Sequence, residues 1–363
     1  MSGTIVRRAL LCSLAIPVTV LAPAAFSQEP APIRVDVQLV RVLATVKDPS
    51  GALVGSLGKG DFTVRDNGVA QQISVFERQT DQPLSVAVLI DNSGSTKKDL
   101  KFEIDSVSRF LRALLGEGNP EDAVALYSFN WEIVKQVNFT RNAAAFERSL
   151  RSLRGEAGTS LYDAVLLASR DIQDRHGRKV LVIVTDGGDT TSHTDFLRAA
   201  EAAQMADAVI YPVMVVPITN EAGRNVGGEN ALTTFALRTG GRVFAPSLGA
   251  ALDNAFEQII RDLRTQYLLG FYPKDVPLTV ERFHSLDVTV SDPRLRAQAR
   301  SGYYGDALPP GAAVAAGNVA LSPREETVRT PRKEPARRPA PAYQPPPTYQ
   351  PPPTYQTPPT YHQ

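Results

Sequence analysis

Between Pro83 and about Thr265 the apolar positions switch repeatedly between two periods. Leu84-Ser-Val-Ala-Val-Leu-Ile90 is almost wholly apolar, the pattern of a strand covered on both faces. After it, Ile104, Val107, Phe110, Leu111 and Leu114 recur at helical spacing, with Gly116 and Gly118 just beyond. Ala123–Phe129 and Ile133–Phe139 predict two strands, the second antiparallel and at an edge, and Leu161–Ile172 predicts a helix. Lys179-Val-Leu-Val-Ile-Val-Thr185, ending in Asp186-Gly-Gly, is the expected central strand. Phe196–Met205 reads as a helix and Ala208–Val216 as a strand. Ala231–Leu237 reads as a helix stopped at Gly240-Gly241, where left-handed geometry ends helices, and Arg242–Ala245 as a short strand. Leu248, Leu252, Phe256, Ile259, Ile260 and Leu263 mark a last helix. Strand and helix in alternation predict an α/β fold over residues 83–265: a doubly wound, mostly parallel sheet with helices on both faces.

The flanks follow a period of two instead. Ile33, Val35, Val37 and Leu39 alternate, then the phase slips to Val40, Val42, Ala44 and Val46, which predicts a bulge or a change of face. Phe62/Val64 and Ile73/Val75 straddle Asn67-Gly68, a strong hairpin signal. Tyr267–Tyr272, Leu286/Val288/Val290 and Ala297–Tyr304 also read as strands. Strand edges need partners, so the β segments at 28–80 and 266–305 are expected to pair with each other, forming a sandwich-like module interrupted by the α/β domain.

The two ends read differently. Residues 1–27 carry Arg7 and Arg8, an apolar stretch from Ala9 to Leu21 and small residues up to Ser27, the pattern of a cleaved export signal. Cys12 is the one cysteine of the chain, so a product cut after Ser27 has no thiol for disulfides, catalysis or zinc. Residues 306–363 are rich in Pro, Ala and Arg and end in a repeat beginning at Tyr343, Tyr349 and Tyr355. Such a segment cannot bury a core, and it reads as a disordered, extended tail able to serve as a spacer or an attachment to envelope or cell wall. A formal net charge of +1 gives no general attraction to nucleic acid, and no later stretch is apolar for long enough to span a membrane. The expectation is an exported protein, periplasmic or extracellular.

Candidate chemistry lies where the strands end. Asp91-Asn-Ser93-Gly-Ser95 follows the first strand, Thr159 follows Gly158 in a loop entering a helix, and Asp186 ends the central strand. In an open parallel sheet these carboxyl ends share one crevice. Two carboxylates and three hydroxyls, without His or Cys, suit a hard cation, Mg²⁺ with Mn²⁺ or Ca²⁺ as alternatives. Hydroxyls are neutral donors, so such an ion keeps much of its charge and seeks a further anion. Asp163 and Asp189, close by in sequence, read as helix or turn caps.

These segments resemble the von Willebrand factor A family: Asp91-x-Ser93-x-Ser95, Gly158-Thr159-Ser-Leu-Tyr-Asp-Ala164 and Val184-Thr-Asp186-Gly match its motifs in order over about 180 residues. Thr239-Gly-Gly-Arg-Val-Phe244 looks like the family's late helix-to-strand turn. Gly60–Gly68 and Gln266–Pro273 look like the exported bacterial members. The resemblance implies that Ser93, Ser95 and Thr159 touch the metal directly, and that Asp91 and Asp186 act directly or through water. It implies a non-enzymatic, adhesion-type binding module whose metal takes an Asp or Glu carboxylate of a protein partner. The alternative is an assembly protein of the envelope whose metal only stabilises the fold.

Enzymatic readings fit less well. A haloacid-dehalogenase-like phosphatase needs a second Asp two positions after Asp91, where Ser93 stands, so a phosphoryl-transfer hydrolase is a weak alternative. Asn92 spoils an aspartic-protease turn. No G-x-S-x-G accompanies the histidines, and Gly55–Gly60 lacks phosphate-loop spacing.

Overall fold

The computed structural model describes residues 39–78, 82–94, 96, 99–116, 118–215, 226–276 and 282–305. The expected leader, the alternation over Ile33–Val37 and the repetitive segment from residue 306 lie outside the described residues. Among those described, no helix is long and apolar enough to cross a membrane.

The α/β domain is built on β5 (Leu84–Asp91), β6 (Ala123–Phe129), β7 (Ile133–Thr140), β8 (Arg178–Thr185) and β9 (Ala208–Met214). Their order across the sheet is β7-β6-β5-β8-β9, parallel except for the edge strand β7. Strand side chains alternate between faces, and in β5 both faces are buried. Val86, Val88 and Ile90 pack with α1 (Leu100–Gly116) and α6 (Ala250–Thr265), where Phe110 and Phe256 stack at 4.8 Å. Ala87 and Leu89 face α3 (Leu161–Gln173), α4 (Phe196–Met205) and α5 (Val226–Thr239). Small residues on that side, Ala164, Ala168, Ala199 and Ala203, let three helices crowd onto the sheet.

Three expectations need correction. Ala143–Ser152 forms a helix, α2, that apolar periodicity misses because it buries only Phe146 and Leu150; its signal is the cap, Asn142, whose side chain accepts from the Ala145 N–H. Helix α5 starts at Val226, ahead of Gly227-Gly228. A Cβ on Gly228 would fall 1.1 Å from the carbonyl oxygen of Gly187, so that glycine marks a close approach of helix and loop rather than a break. Arg242–Ala245 is not a strand. Phe244 alone bridges β9, donating to Pro212 O and accepting from Met214 N. Pro212 has no N–H for a preceding rung, so the ladder stops there.

The flanking segments form two antiparallel sheets. One has the order β12-β1-β10-β4, from β1 (Val40–Lys47), β4 (Ile73–Arg78), β10 (Tyr267–Phe271) and β12 (Arg296–Ala299); the other runs β13-β11-β2-β3, from β2 (Phe62–Asp66), β3 (Val69–Gln71), β11 (Phe283–Val290) and β13 (Gly302–Tyr304). Strands from before and after the α/β domain alternate in the first sheet, with Val42 opposite Leu269 and Leu269 opposite Phe76, and meet once in the second, where Val288 lies opposite Val64. The sheets share a core that includes Val42, Val46, Phe62, Val64, Tyr267 and Leu269.

The hairpin turn is at Asn67-Gly68, both with positive φ (47° and 82°). The returning strand is Val69–Gln71, however, and Ile73 opens a strand of the other sheet. Ala297–Tyr304 likewise divides between the sheets. Arg300 bridges Thr239 and the Ser301 N–H donates to Arg238 O, so the end of α5 occupies the backbone where one strand would have run on.

Across this module Asp66, fully buried, accepts 2.7 Å from the Tyr303 hydroxyl and lies 3.0 Å from His284 Nδ1. Burial, then Asp66, pushes the Tyr303 phenol upward, so it stays a donor. Asp66→Ala leaves the Tyr303 hydroxyl and His284 Nδ1 with only each other, at 3.2 Å, and we predict a loss of about 1–3 kcal/mol, read as a lower urea midpoint with an unchanged slope.

Candidate metal centre

Three loops leave the carboxyl edge of the parallel sheet. Asp91 is the last residue of β5 and its side chain is inaccessible. Its Oδ1 accepts from the Ser93 N–H at 2.8 Å and its Oδ2 from the Thr185 hydroxyl at 2.6 Å, and the Ser93 side chain also hydrogen-bonds it. Asn92 N–H donates to Phe129 O, Glu156 N–H donates to Asn92 O, and the Asn92 amide donates to Arg154 O. These bonds pin the Ser93 loop against the segment leading to Thr159.

Thr159 is held from the other side. Its N–H donates to the Thr190 hydroxyl at 2.9 Å, and its carbonyl accepts from the N–H groups of Thr190 and Thr191. Gly158 precedes it at φ +83°, where a Cβ would come 2.9 Å from the Trp131 Cβ. Asp186 follows β8, half-buried, and Thr185 Oγ1 accepts from Gly187 N–H while donating to Asp91.

Asp91, Ser93, Thr159 and Asp186 thus stand on loops joined to one another at one edge; Ser95 lies outside the described residues. Asp189 accepts from Tyr162 N–H and the Ser192 hydroxyl, and Asp163 from the N–H groups of His193 and Thr194, so both hold turns.

The electrostatics is one-sided. Burial pushes Asp91 up to about 6; the bonds from Thr185 and Ser93 work against this and the charge of Asp186 adds to it. Glu103, in the first turn of α1 and 1% exposed, is pushed up to about 8, first by burial and then by Asp91, Asp186 and Asp99. Its Oε2 is buried with no hydrogen-bond partner among the described residues. The charged groups that act on Asp91 and Glu103 are all carboxylates. At ligand distance, no group of three or more His, Cys, Asp or Glu occurs among the described residues, and Glu103, pushed up to about 8, is largely neutral at pH 7.

A carboxylate has about four acceptor positions, and Asp91 uses three or fewer on neutral donors, so the donor set fits a hard cation that takes hydroxyls as further ligands. Two contributors were not singled out from sequence. Thr185 is a hydroxyl ending an otherwise apolar strand. Glu103 falls at i−4 from Val107, inside the buried stripe of α1, and a charge in that stripe is the signal.

A doubly wound α/β domain whose carboxyl edge gathers two aspartates, a serine and a threonine defines the class of this molecule. The family model described as "von Willebrand factor type A domain" matches residues 86–188. No curated protein matches the chain. Among solved structures it is similar to an aerotolerance-related membrane protein from Bacteroides fragilis, at 18% identity over 50% of this chain and 98% of that one, TM-score 0.39. It is similar to BatB from Bacteroides thetaiotaomicron, at 19% over 50% and 97%, TM-score 0.40. A third is the vWF domain of the type V pili tip protein Mfa5 from Porphyromonas gingivalis, at 16% over 55% and 99%, TM-score 0.41.

Two substitutions test this arrangement without metal. Thr185→Val leaves Asp91 Oδ2 without a donor, with an expected cost of about 1–3 kcal/mol in urea unfolding with chelator. Glu103 is an acid whose native value, about 8, lies above its free value of 4.5. Its contribution is therefore complete below about pH 4.5 and lost as pH rises through about 8. Glu103→Gln cannot ionise, so in EDTA its thermal midpoint should gain on the parent between pH 5 and pH 9, by an amount on the order of a few kcal/mol.

Proposed function

We propose that this chain is a metal-dependent binding protein, in which Asp91, Ser93, Ser95, Thr159 and Asp186 hold Mg²⁺ and a partner protein supplies an Asp or Glu carboxylate. The observation that carries this reading is the buried carboxylate of Asp91, whose charged neighbour Asp186 and more distant neighbour Glu103 are themselves acids. A buried anion without a counter-ion costs several kcal/mol, and a cation reverses that cost. Bound there, Mg²⁺ supplies positive charge and a Lewis-acid position for an incoming carboxylate.

The chain's own residues prepare the rest. Hydrogen bonds among the three loops set the positions of the hydroxyl-bearing segments, and Asp91 is oriented from both of its oxygens. Trp131, the single tryptophan of the chain, stands exposed beside the Thr159 loop with its indole N–H on Glu156 Oε2 at 3.2 Å. An exposed, anchored indole is a frequent centre of protein interfaces. It gives the partner an apolar contact beside the ion. The exported setting rests on the leader pattern of residues 1–27, and attachment through the repetitive tail rests on its composition.

One observation favours the second reading, an assembly module in which the ion only braces the loops: Asp91 has no accessible surface, so no partner reaches it directly. A phosphoryl-transfer reading would require an acid where Ser93 supplies a hydroxyl that bonds Asp91.

Mg²⁺ should raise the thermal midpoint saturably, by about 2.7 kcal/mol at a hundred times its Kd, and change Trp131 fluorescence. Asp91→Ala should abolish both; no shift in the parent protein overturns the metal reading. Capture of a partner from envelope extract should be lost in EDTA and in Asp91→Ala. Capture that survives chelation removes the ion-bridged mechanism and leaves the assembly reading.

A further inference from the structure

At the opposite, amino-terminal edge of the parallel sheet lies a cavity of about 140 Å³. Its walls come from both parts of the fold: the starts of β8 and β9 and the ends of α4 and α5 on one side, β1, β10 and Arg300 on the other. It is of the size that admits a six-carbon ring. Five cationic side chains line it, Arg41, Arg175, Arg178, Lys179 and Arg300, and Asp207 is the carboxylate among the lining residues.

Several of these cations are satisfied by neutral groups. Arg175 donates to the Ser85 hydroxyl and stacks on Phe139, and Lys179 donates to Gln173 O. Arg300 pairs with Asp207 and donates to Arg41 O, yet its Nε is buried with no partner among the described residues. Gln204, also at the wall, has a buried Oε1 with no partner among them. Burial lowers the Lys179 ammonium; Asp207 and Asp174 raise it and Arg41 lowers it further.

A competing account is that the bases only serve the carboxyl ends of helices. The C-termini of α3, α4 and α5 lie at this edge, each worth roughly half a negative charge. Among the described residues, those partial charges with Asp207 and Asp174 fall short of the positive charges that line the cavity. Arg41 and Arg300, moreover, come from the antiparallel sheets and cap no helix of the α/β domain. A buried guanidinium donor without an acceptor and a surplus of positive charge both call for an anion, and guanidinium groups match tetrahedral oxyanions in particular.

We propose that this cavity binds a phosphate-class oxyanion, either free phosphate or the phosphate of a small monoester, and that the ligand ties the α/β domain to the antiparallel module. The site is separate from the metal edge and independent of the function proposed for it.

The test is thermal unfolding and titration calorimetry of the full chain in EDTA, with sodium phosphate or glycerol phosphate against sodium chloride at equal ionic strength. A saturable rise in midpoint is expected with phosphate. Arg41→Gln and Lys179→Gln, on exposed and half-buried positions, should each weaken binding by about tenfold, the effect of a lost charge-assisted contact. Their far-ultraviolet circular dichroism and their cooperative unfolding in EDTA without phosphate should stay those of the parent, which shows that they are folded. Tighter binding of glycerol phosphate identifies a monoester as the source, and equal or weaker binding identifies free phosphate. No shift beyond chloride, or an equal shift in parent and both variants, overturns the proposal.

Discussion

Strand β10 is hydrogen-bonded on both sides, to β1 and to β4, and the arrangement of the whole molecule follows from that. Its partners lie about two hundred residues earlier in the chain, so this sheet has a gap until the α/β domain has been traversed. Tyr267, at the start of β10, shows how the gap is filled. Its ring packs on Phe62 and Phe76, its hydroxyl donates to Val54 O and accepts from Leu57 N–H, and it directly follows the last turn of α6. One short strand thereby seals the antiparallel core and anchors the exit of the α/β domain. Contacts of such sequence separation form late and slowly, while the central domain has two cores of its own on which to condense.

This connectivity fixes the two edges of the parallel sheet for different uses. The amino edge faces the antiparallel module, so Arg178, at the start of β8, reaches both Leu263 O and Gln82 O, and Gln266, where the chain leaves α6 for β10, is buried there. The carboxyl edge carries the connections from β5, β6 and β8, and there loops can differ without disturbing either core. Fold stability and candidate chemistry are kept apart by the length of the parallel strands.

Where one period dominated, the sequence was legible. Strands β5, β6 and β8 and helices α3 and α4 lie within a residue or so of where apolar spacing puts them, because both faces of the sheet are buried and the pattern has no competing explanation. It failed where tertiary contacts overrode local preference. Apolar spacing begins helix α5 only at Ala231, whereas the helix extends back through Gly228, which is needed for the approach to Gly187, and Arg242–Ala245 reads as a strand but meets Pro212. The site was legible as residues at strand ends, since parallel topology alone brings Asp91, Thr159 and Asp186 to one edge. What spacing does not convey is which neighbours tune them. The bond from Thr185 to Asp91 depends on adjacent strands in register, and the burial of Glu103 on how α1 lies over β5.

The charge at the metal edge is a contest whose outcome can be argued. Glu103 is in the first turn of α1, where the helix dipole favours an anion by about 0.3–1 kcal/mol. Yet its carboxyl is pushed up to about 8, a displacement worth several times that at about 1.4 kcal/mol per unit. Burial and three nearby carboxylates therefore outweigh the dipole. The hydrogen bonds that orient Asp91 come from neutral donors, so they fix geometry without cancelling charge. Loops set in advance around an uncancelled negative field have little reorganisation left to do when a cation arrives. The hydroxyls supply position, and the carboxylate of Asp91 with Asp186 beside it supplies the negative charge.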